Sequence, residues 1–135
     1  MQFDTKIAVV VRTDLLTWQK LNVTAFTISG IAGLPDVLGE NYVDGSDRSY
    51  LPMIKQPITI FGADQQQIRA VYEQALNREV QFSIYTEELF ATPHDEANRA
   101  AVRAVRSEEL NLVGMAMRAR KKVIDKLLKG LSLHS

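Results

Sequence analysis

Residues 6–33 decide the fold, and they read KIAVVVRTDLLTWQKLNVTAFTISGIAG. The run from Ile7 to Val11 is wholly apolar and mostly β-branched, which predicts a strand that is buried on both faces. A long helix follows it and is ended by Gly33 and Pro35. The C-terminal end of a strand that leads into a helix is where α/β proteins place their sites. This junction is therefore the first place to look for function.

The predicted helix after this strand is apolar around much of its circumference. Such a helix packs inside a larger assembly or against a second subunit, so the sequence predicts a homo-oligomer, expected to be a homodimer. Asp14 or Thr13 is expected to cap the helix, because a side-chain oxygen there accepts an unpaired backbone N–H. The apolar positions are Leu15, Trp18, Leu21, Ala25, Phe26, Ile28 and Ile31.

The rest of the chain alternates predicted strands with predicted helices. This alternation predicts one α/β domain, residues 1–135, with three layers: a small mixed β-sheet flanked by helices on both faces. The expected strands are Tyr42–Val43 paired with Ser49–Met53, then Pro57–Phe61, Val80–Tyr85 and Leu110–Met117. The expected helices are one capped by Asp64, one from Thr92 to about Val105, and one from Arg120 to Gly130.

Composition excludes several classes of function. With 46% hydrophobic and 24% charged residues the chain resembles a globular protein, and no apolar run is long enough to cross a membrane. The absence of cysteine excludes disulfides and thiolate catalysis. Sixteen basic residues balance sixteen acidic ones, which does not favour a dedicated nucleic-acid binder. The N-terminus lacks the pattern of a secretory signal, so the expected compartment is the cytoplasm.

Polar residues gather at the junction between the first strand and the first helix. A lysine among apolar neighbours must extend to water, pair with an acid or face a cleft. Lys20 is therefore expected either to stabilise an oxyanion as a catalytic residue or to hold its ammonium group in solvent. Arg12 and Asp14 are candidate binding residues, although helix capping alone would explain Asp14.

A second candidate site lies in residues 85–99, YTEELFATPHDEANR. An ordinary helix start explains most of it. Thr92 fits an N-cap and Pro93 fits the first helical position. Asp95 and Arg99 are four residues apart, which suits a surface ion pair.

His94 is the residue that this ordinary interpretation leaves unused. Near a helix N-terminus the dipole favours the neutral imidazole, which is useful in a general acid or base. Glu87 or Asp95 would orient the ring, and Arg99 would contribute to binding. One histidine offers too few nitrogens for a zinc site, so we predict no metal and no cofactor.

Basic residues are concentrated between Arg118 and Lys129. They are expected to form a solvated helix face, with a patch for phosphate or RNA backbone as the alternative. No aromatic residues are interleaved to stack bases, so tRNA is a partner that the sequence allows but does not favour.

Five segments spread over the chain carry a resemblance: KIAVVVRTDLLTWQKLNVTAF, YLPMIKQP, YTEELFATPHDEANRAAV, LNLVG and VIDKLLKGLSLH. With them the whole chain resembles a bacterial family known as domain of unknown function 2000. That family has no established activity, so the resemblance implies a fold and not a function.

Both ends of the chain also resemble peptidyl-tRNA hydrolase II, and Lys20 lies close to the position of the essential lysine in that family. The resemblance implies a small mixed β-sheet covered by helices on both faces, often in a dimer. In the middle, Thr86–Glu88 and the segment TPHDEANR stand where that family has a G-R-T segment and catalytic threonines. The matching residues are Val11, Arg12, Asp14 and Leu15 at the start, and Ile124, Asp125, Lys126 and Leu131–Leu133 at the end.

Three hypotheses for function follow. The first is a hydrolase or transferase for an unidentified small molecule or ester, with its site between the strand–helix junction and residues 87–99. The second is a divergent peptidyl-tRNA hydrolase that uses Lys20. The third is a non-enzymatic, homo-oligomeric binding module in which the same residues are caps and ion pairs.

Overall fold

The first apolar run of the sequence forms the central strand of a five-stranded sheet. The structure is a computed structural model that describes residues 3–135. Its strands are β1 (Thr5–Arg12), β2 (Tyr42–Val43), β3 (Ser49–Tyr50), β4 (Ile58–Ala63), β5 (Phe82–Thr86), β6 (Leu112–Arg120) and β7 (Ser132–Leu133). Its α-helices are α1 (Thr17–Ala32), α2 (Gln65–Asn77), α3 (Asp95–Arg103) and α4 (Lys121–Leu127).

The sheet has the strand order β5-β6-β1-β4-β7 and is mixed. Strand β1 runs parallel to β4 and antiparallel to β6, and β5 is also antiparallel to β6. Strands β1, β4 and β5 therefore end at one side of the sheet, where β6 begins. We call this side the carboxyl end and the opposite side the amino end. The predicted mixed α/β sheet is confirmed.

Helices cover both faces of the sheet, as the alternating side chains of β1 require. Ile7, Val9 and Val11 pack beneath α1, whereas Ala8 and Val10 pack beneath α2 and α4. Helix α1 lies close on β6 because Gly114 has no side chain. A Cβ atom added at Gly114 would lie 2.1 Å from a methyl carbon of Val23.

The predicted cap of α1 is wrong. Neither Asp14 nor Thr13 caps the helix, which begins after Leu16, and the backbone N–H of Leu16 donates to the side chain of Gln19 at 2.9 Å. The carboxylate of Asp14 is occupied by Arg12 instead. Asp14 therefore belongs to an ion pair at the end of β1 and not to the start of α1.

The predicted start of α3 is also wrong, whereas that of α2 is confirmed. Asp64 caps α2 by accepting from the backbone N–H of Gln67 at 2.8 Å. Helix α3 begins after His94 and not after Thr92, because the Nδ1 atom of His94 accepts from the backbone N–H of Ala97 at 3.2 Å. The Thr92 hydroxyl turns back to the carbonyl of Leu89 instead.

Other boundaries shift by a few residues. A 3-10 turn at Ser107–Glu109 precedes β6, and β6 extends to Arg120 because that residue pairs with Thr5. Helix α4 ends at Leu127, before the predicted Gly130, which has a positive φ of 91°. Among the described residues, no helix has the length and hydropathy that a membrane crossing requires.

Strands β2 and β3 pair across a turn, as predicted, although β3 ends at Tyr50 and not at Met53. A bridge between Leu38 and Ile54 closes the base of this hairpin. We call residues 38–54 the arm. It joins the end of α1 to the start of β4 and therefore lies at the amino end of the sheet.

Candidate functional site at the carboxyl end of the sheet

A bidentate ion pair lies at the end of β1. Arg12 donates to the two carboxylate oxygens of Asp14, from Nε at 2.9 Å and from Nη2 at 2.7 Å. The Arg12 side chain is only 11% exposed, whereas that of Asp14 is 62% exposed. Charge-assisted, bidentate pairs of this kind fix geometry as well as adding energy. The protein thus holds the exposed Asp14 carboxylate in one orientation.

The other side of the Arg12 guanidinium group ties this pair to the rest of the carboxyl end. Nη1 donates to the side-chain oxygen of Asn111 and to the carbonyl of Leu112, each at 3.2 Å. The Asn111 amide in turn donates to Glu87, which follows β5 directly. Asp14, Arg12, Asn111 and Glu87 form one connected set, which we call the Arg12 network. It joins the ends of β1 and β5 to the start of β6.

Electrostatics keep both partners of the pair charged. The hydrogen bond from Arg12 lowers the pKa of the Asp14 carboxyl, partial burial opposes this, and the charge of the half-buried Lys20 lowers it further. The hydrogen bond with Asp14 likewise raises the pKa of Arg12, and the charges of Glu87 and Asp64 add to it. At neutral pH the site therefore presents a fixed and charged Asp14 carboxylate.

Aromatic contacts place the segment after β5 against α1. A 3-10 turn at Glu87–Ala91 brings Phe90 edge-on to Trp18, with ring centroids 5.6 Å apart. Phe90 also contacts Tyr85 at 5.0 Å, and the Tyr85 hydroxyl donates to Asn22 of α1 at 2.7 Å. Burial raises the pKa of Tyr85, which keeps the phenol neutral and able to donate. These contacts fix the turn that carries Glu87.

The predicted residues of α3 lie apart from this network. His94 is exposed and caps its helix through Nδ1, which leaves Nε2 as the atom available for proton transfer. Asp95 and Arg99 form the expected ion pair at 2.7 Å, with about three quarters of each side chain exposed. Within residues 3–135, no hydrogen bond or ion pair joins these three residues to Arg12, directly or through the network. The structure thus joins Arg12, Asp14 and Glu87 through hydrogen bonds, with Lys20 acting on Asp14 through its charge, and leaves the α3 residues separate.

Sequence reasoning missed three polar residues at the carboxyl end. Asn111 bridges two segments that are far apart in sequence, and a lone asparagine before a strand carries no signal of that role. Thr86 is 1% exposed, and its hydroxyl has no hydrogen-bond partner within the described chain. His134 lies with Nε2 3.4 Å from the carbonyl oxygen of Arg12. The second histidine, rather than His94, is therefore the one beside the junction.

Space for a ligand adjoins the network. A cavity of about 760 Å³ opens between α2 and the start of β6, and Asn111 and Leu112 belong to its wall. Arg69 and Glu73 line the opposite side. The volume falls in the range of about 300–1,000 Å³ that small-molecule sites occupy. No group of three or more His, Cys, Asp or Glu side chains suited to a metal ion occurs among residues 3–135.

Comparisons with known proteins give a family and a fold. The family model described as protein of unknown function (DUF2000) matches residues 5–135. The solved structure of a protein of unknown function from Agrobacterium tumefaciens strain C58 is similar, with 47% sequence identity and a TM-score of 0.94. The match covers 99% of this chain and 100% of that one. No curated protein matches the chain.

Proposed function

Since the chain belongs to the DUF2000 family of proteins of unknown function, its activity must be argued from its own residues, and we propose that it is a hydrolase or transferase for a small ester. One observation supports this proposal. The Arg12 network fixes the carboxylate of Asp14 at the carboxyl end of two parallel strands, where the charge of Lys20 lowers its pKa. Ligands of α/β proteins bind at this end of a sheet.

Lys20 has the role of electrostatic stabiliser in this proposal. Attack on an ester carbonyl places negative charge on the carbonyl oxygen, and a pre-positioned ammonium group stabilises that charge. The charge of Lys20 acts on the Asp14 carboxyl, and Arg12 holds that carboxylate in one orientation through the bidentate pair. Arg12 and Asp14 are thus positioning residues.

Glu87 is the proposed proton acceptor. Its carboxylate is exposed and is oriented by the amide of Asn111. A water molecule forms a bond from its oxygen to the carbonyl carbon, and its proton passes to Glu87. The bond between the carbonyl carbon and the alkoxide oxygen then breaks, and Glu87 returns the proton to the departing alkoxide. His94 is the alternative base and would act through Nε2. The roles of Asp95 in orienting His94 and of Arg99 in binding stay predictions.

Hydrolysis of 4-nitrophenyl esters tests the proposal. Lys20→Met should lower kcat by about 10²- to 10³-fold, which is the usual cost of removing one oxyanion donor. Lys129→Met is the matched control, because it removes an exposed lysine at the end of α4 and should leave kcat unchanged. Equal rates for both variants would exclude Lys20 from catalysis.

The pH dependence of the rate separates the two candidate bases. Glu87→Gln should remove the acid limb of the profile while His94→Gln leaves it in place, if the carboxylate accepts the proton. The reverse result would assign proton transfer to His94. Rates that neither variant changes would contradict both assignments and favour a binding module.

A divergent peptidyl-tRNA hydrolase, on a fold like that of peptidyl-tRNA hydrolase II, is the second candidate. It is favoured by the resemblance at the start of the chain, where Arg12 and Asp14 match the opening segment of that family and Lys20 lies close to the position of its essential lysine. It is opposed by the position of Lys121, a residue of the basic segment that would bind RNA, at the amino end of the sheet. There the backbone N–H of Lys121 donates to the backbone carbonyl of Asp4. The length of β1, roughly 26 Å, separates that end from the site. Cleavage of an N-blocked aminoacyl-tRNA that Lys20→Ala abolishes would establish this alternative.

A further inference from the structure

We propose that two copies of this chain associate through their arms, each arm docking at the amino end of the partner's sheet beside Lys121 and Lys122. The proposal concerns the end of the molecule opposite the Arg12 network. It stands or falls independently of the proposed ester chemistry.

The arm has a defined hairpin conformation although it is exposed to solvent. Every residue from 40 to 51 is exposed. Nevertheless, Asp44 accepts from the backbone of Ser46 at 2.8 Å and of Arg48 at 3.0 Å, and from the Tyr50 hydroxyl at 2.7 Å. A two-stranded hairpin is only marginally stable without support from other elements. A preformed but unsupported hairpin is what a docking element requires, because little order remains to be gained on binding.

The surface of the arm combines apolar and acidic residues. Leu51 is 84% exposed, and Val43 is 62% exposed. Concentrations of exposed apolar residues on this scale mark interaction surfaces. Around them, the carboxylates outnumber the single arginine of the arm. The other large apolar residues exposed on the arm are Leu38, Tyr42, Tyr50 and Met53. The acidic residues are Glu40, Asp44 and Asp47.

The amino end of the sheet carries the complementary surface. A cavity of about 340 Å³ there is lined mainly by apolar groups, including Phe3, Ile7 and Pro57. Lys121 belongs to its wall, and the exposed Lys122 follows at the start of α4, whereas Lys6 of the wall is paired with Asp125. The arm is thus apolar with an acidic border, and the cavity is apolar with a basic border. Charge complementarity of this kind selects partners and orients them.

The partner of matching chemistry is a second copy, since one chain carries both halves. The base of the arm leads through Gln56 into β4, and Gln56 also lines the cavity, so arm and cavity share the amino end. A two-fold axis there lets each arm enter the other copy's cavity in an isologous dimer. The sequence predicted a homodimer through the apolar α1. Helix α1 has only one charged residue, Lys20, and therefore offers no charge pattern that a partner could recognise. The arm and the cavity have complementary charges, so we expect the contact there.

Sedimentation velocity across micromolar concentrations tests the dimer with two charge variants. The arm variant is Glu40→Lys with Asp47→Asn, which suits the positive φ of Asp47. The helix variant is Lys121→Glu with Lys122→Glu. We expect each alone to weaken dimerisation by at least about tenfold, because like charges then face each other. Mixing the two variants restores both contacts, so it should give a heterodimer of wild-type affinity.

Arg78→Glu with Arg103→Glu is the matched control, because it reverses two exposed charges elsewhere and should leave the wild-type dimer unchanged. Leu51→Ser should also weaken the dimer without altering its dependence on salt. A wild-type chain that stays monomeric up to 100 µM would overturn the proposal. A dimer that only Leu21→Ser breaks, or variants whose mixture stays monomeric, would overturn it as well.

Discussion

The two ends of β1 each carry one ion pair, and the two pairs differ in what surrounds them. Lys6 and Asp125 lie 2.6 Å apart at the amino end, with side chains 47% and 60% exposed. Arg12 and Asp14 lie 2.7 Å apart at the carboxyl end, where the arginine is 11% exposed. Nearly equal distances thus describe unequal interactions. Four of the five Arg12 N–H donors are used, and they connect two segments of chain, to which Asn111 joins a third at Glu87.

This comparison divides the molecule into a tied end and an open end. At the carboxyl end, side chains hold the segments that follow β1 and β5 in fixed positions. At the amino end, the arm extends into solvent and lysines border a cavity. Catalytic chemistry needs fixed groups, whereas docking needs accessible ones. The two proposals made for this chain follow that division.

Removing the cation from each pair is the strongest way to break the comparison. Arg12→Met should lower the free energy of unfolding by about 2–3 kcal/mol, because it leaves hydrogen-bonding partners of a buried charge unsatisfied. Lys6→Met should lower it by less than about 0.5 kcal/mol, since exposed pairs contribute little. Urea denaturation at pH 7 measures both. Arg12→Lys should recover only part of the loss, because an ammonium group cannot form the bidentate pair. Equal losses in the two methionine variants would contradict the division.

Two glycines, one packed beneath α1 and one in the arm, extend the comparison between tightly packed and open parts of the molecule. Gly114→Ala should cost about 1–3 kcal/mol, because the new methyl group collides with Val23 and pushes α1 from the sheet. Gly45→Ala, at the turn of the arm, meets no atom within 4 Å and should change stability by less than about 0.5 kcal/mol. Thermal unfolding measures the pair. Adding Val23→Ala to the Gly114 variant should return part of the loss, and failure to do so would place the strain elsewhere.

Acid should reveal the smallest difference. The pKa of Asp14 is lowered in the folded state, so its contribution to stability is present above its unfolded pKa of about 3.9 and is lost as the pH falls through the folded pKa. Asp14→Asn should therefore be less stable than wild type at pH 7, by under about 1 kcal/mol because the group is well exposed. The gap should close below about pH 4. Urea titrations at several pH values measure it, and a gap that persists at low pH would argue against the ionic origin.

The elements of this fold were predictable where the signal is local. The apolar run at Ile7–Val11 and the Asp64 cap of α2 each depend on neighbours within a few residues, and both are confirmed. The caps at Asp14 and Thr92 failed for the opposite reason. Each residue has a suitable side-chain oxygen. However, the Asp14 carboxylate pairs with Arg12, and His94 caps α3 in place of Thr92. Competition among side chains decides such cases, and a pattern of single residues does not record it.

The candidate site was predictable only in part, because the order of strands in a sheet cannot be read from short sequence patterns. Arg12, Asp14 and Glu87 are candidate site residues because each follows a predicted strand, and hydrogen bonds do connect them at the carboxyl end. The sequence predicts that these segments meet because β1 and β5 are parallel neighbours. In the structure β6 lies between those two strands. Asn111 makes the connection across β6. The role of that residue becomes visible only once β6 is known to lie between the two strands.

The central position of β1 has a consequence for synthesis. Ile7 lies between Ile58 on one side and Arg118 on the other, so β1 receives its second neighbour, β6, much later in synthesis than β4. Until then one side of an apolar strand is unpaired, and unpaired strand edges are sites of aggregation. Closing such long loops also slows folding. Nascent chains that stop before β6 should therefore depend on chaperones, and full-length chains should not.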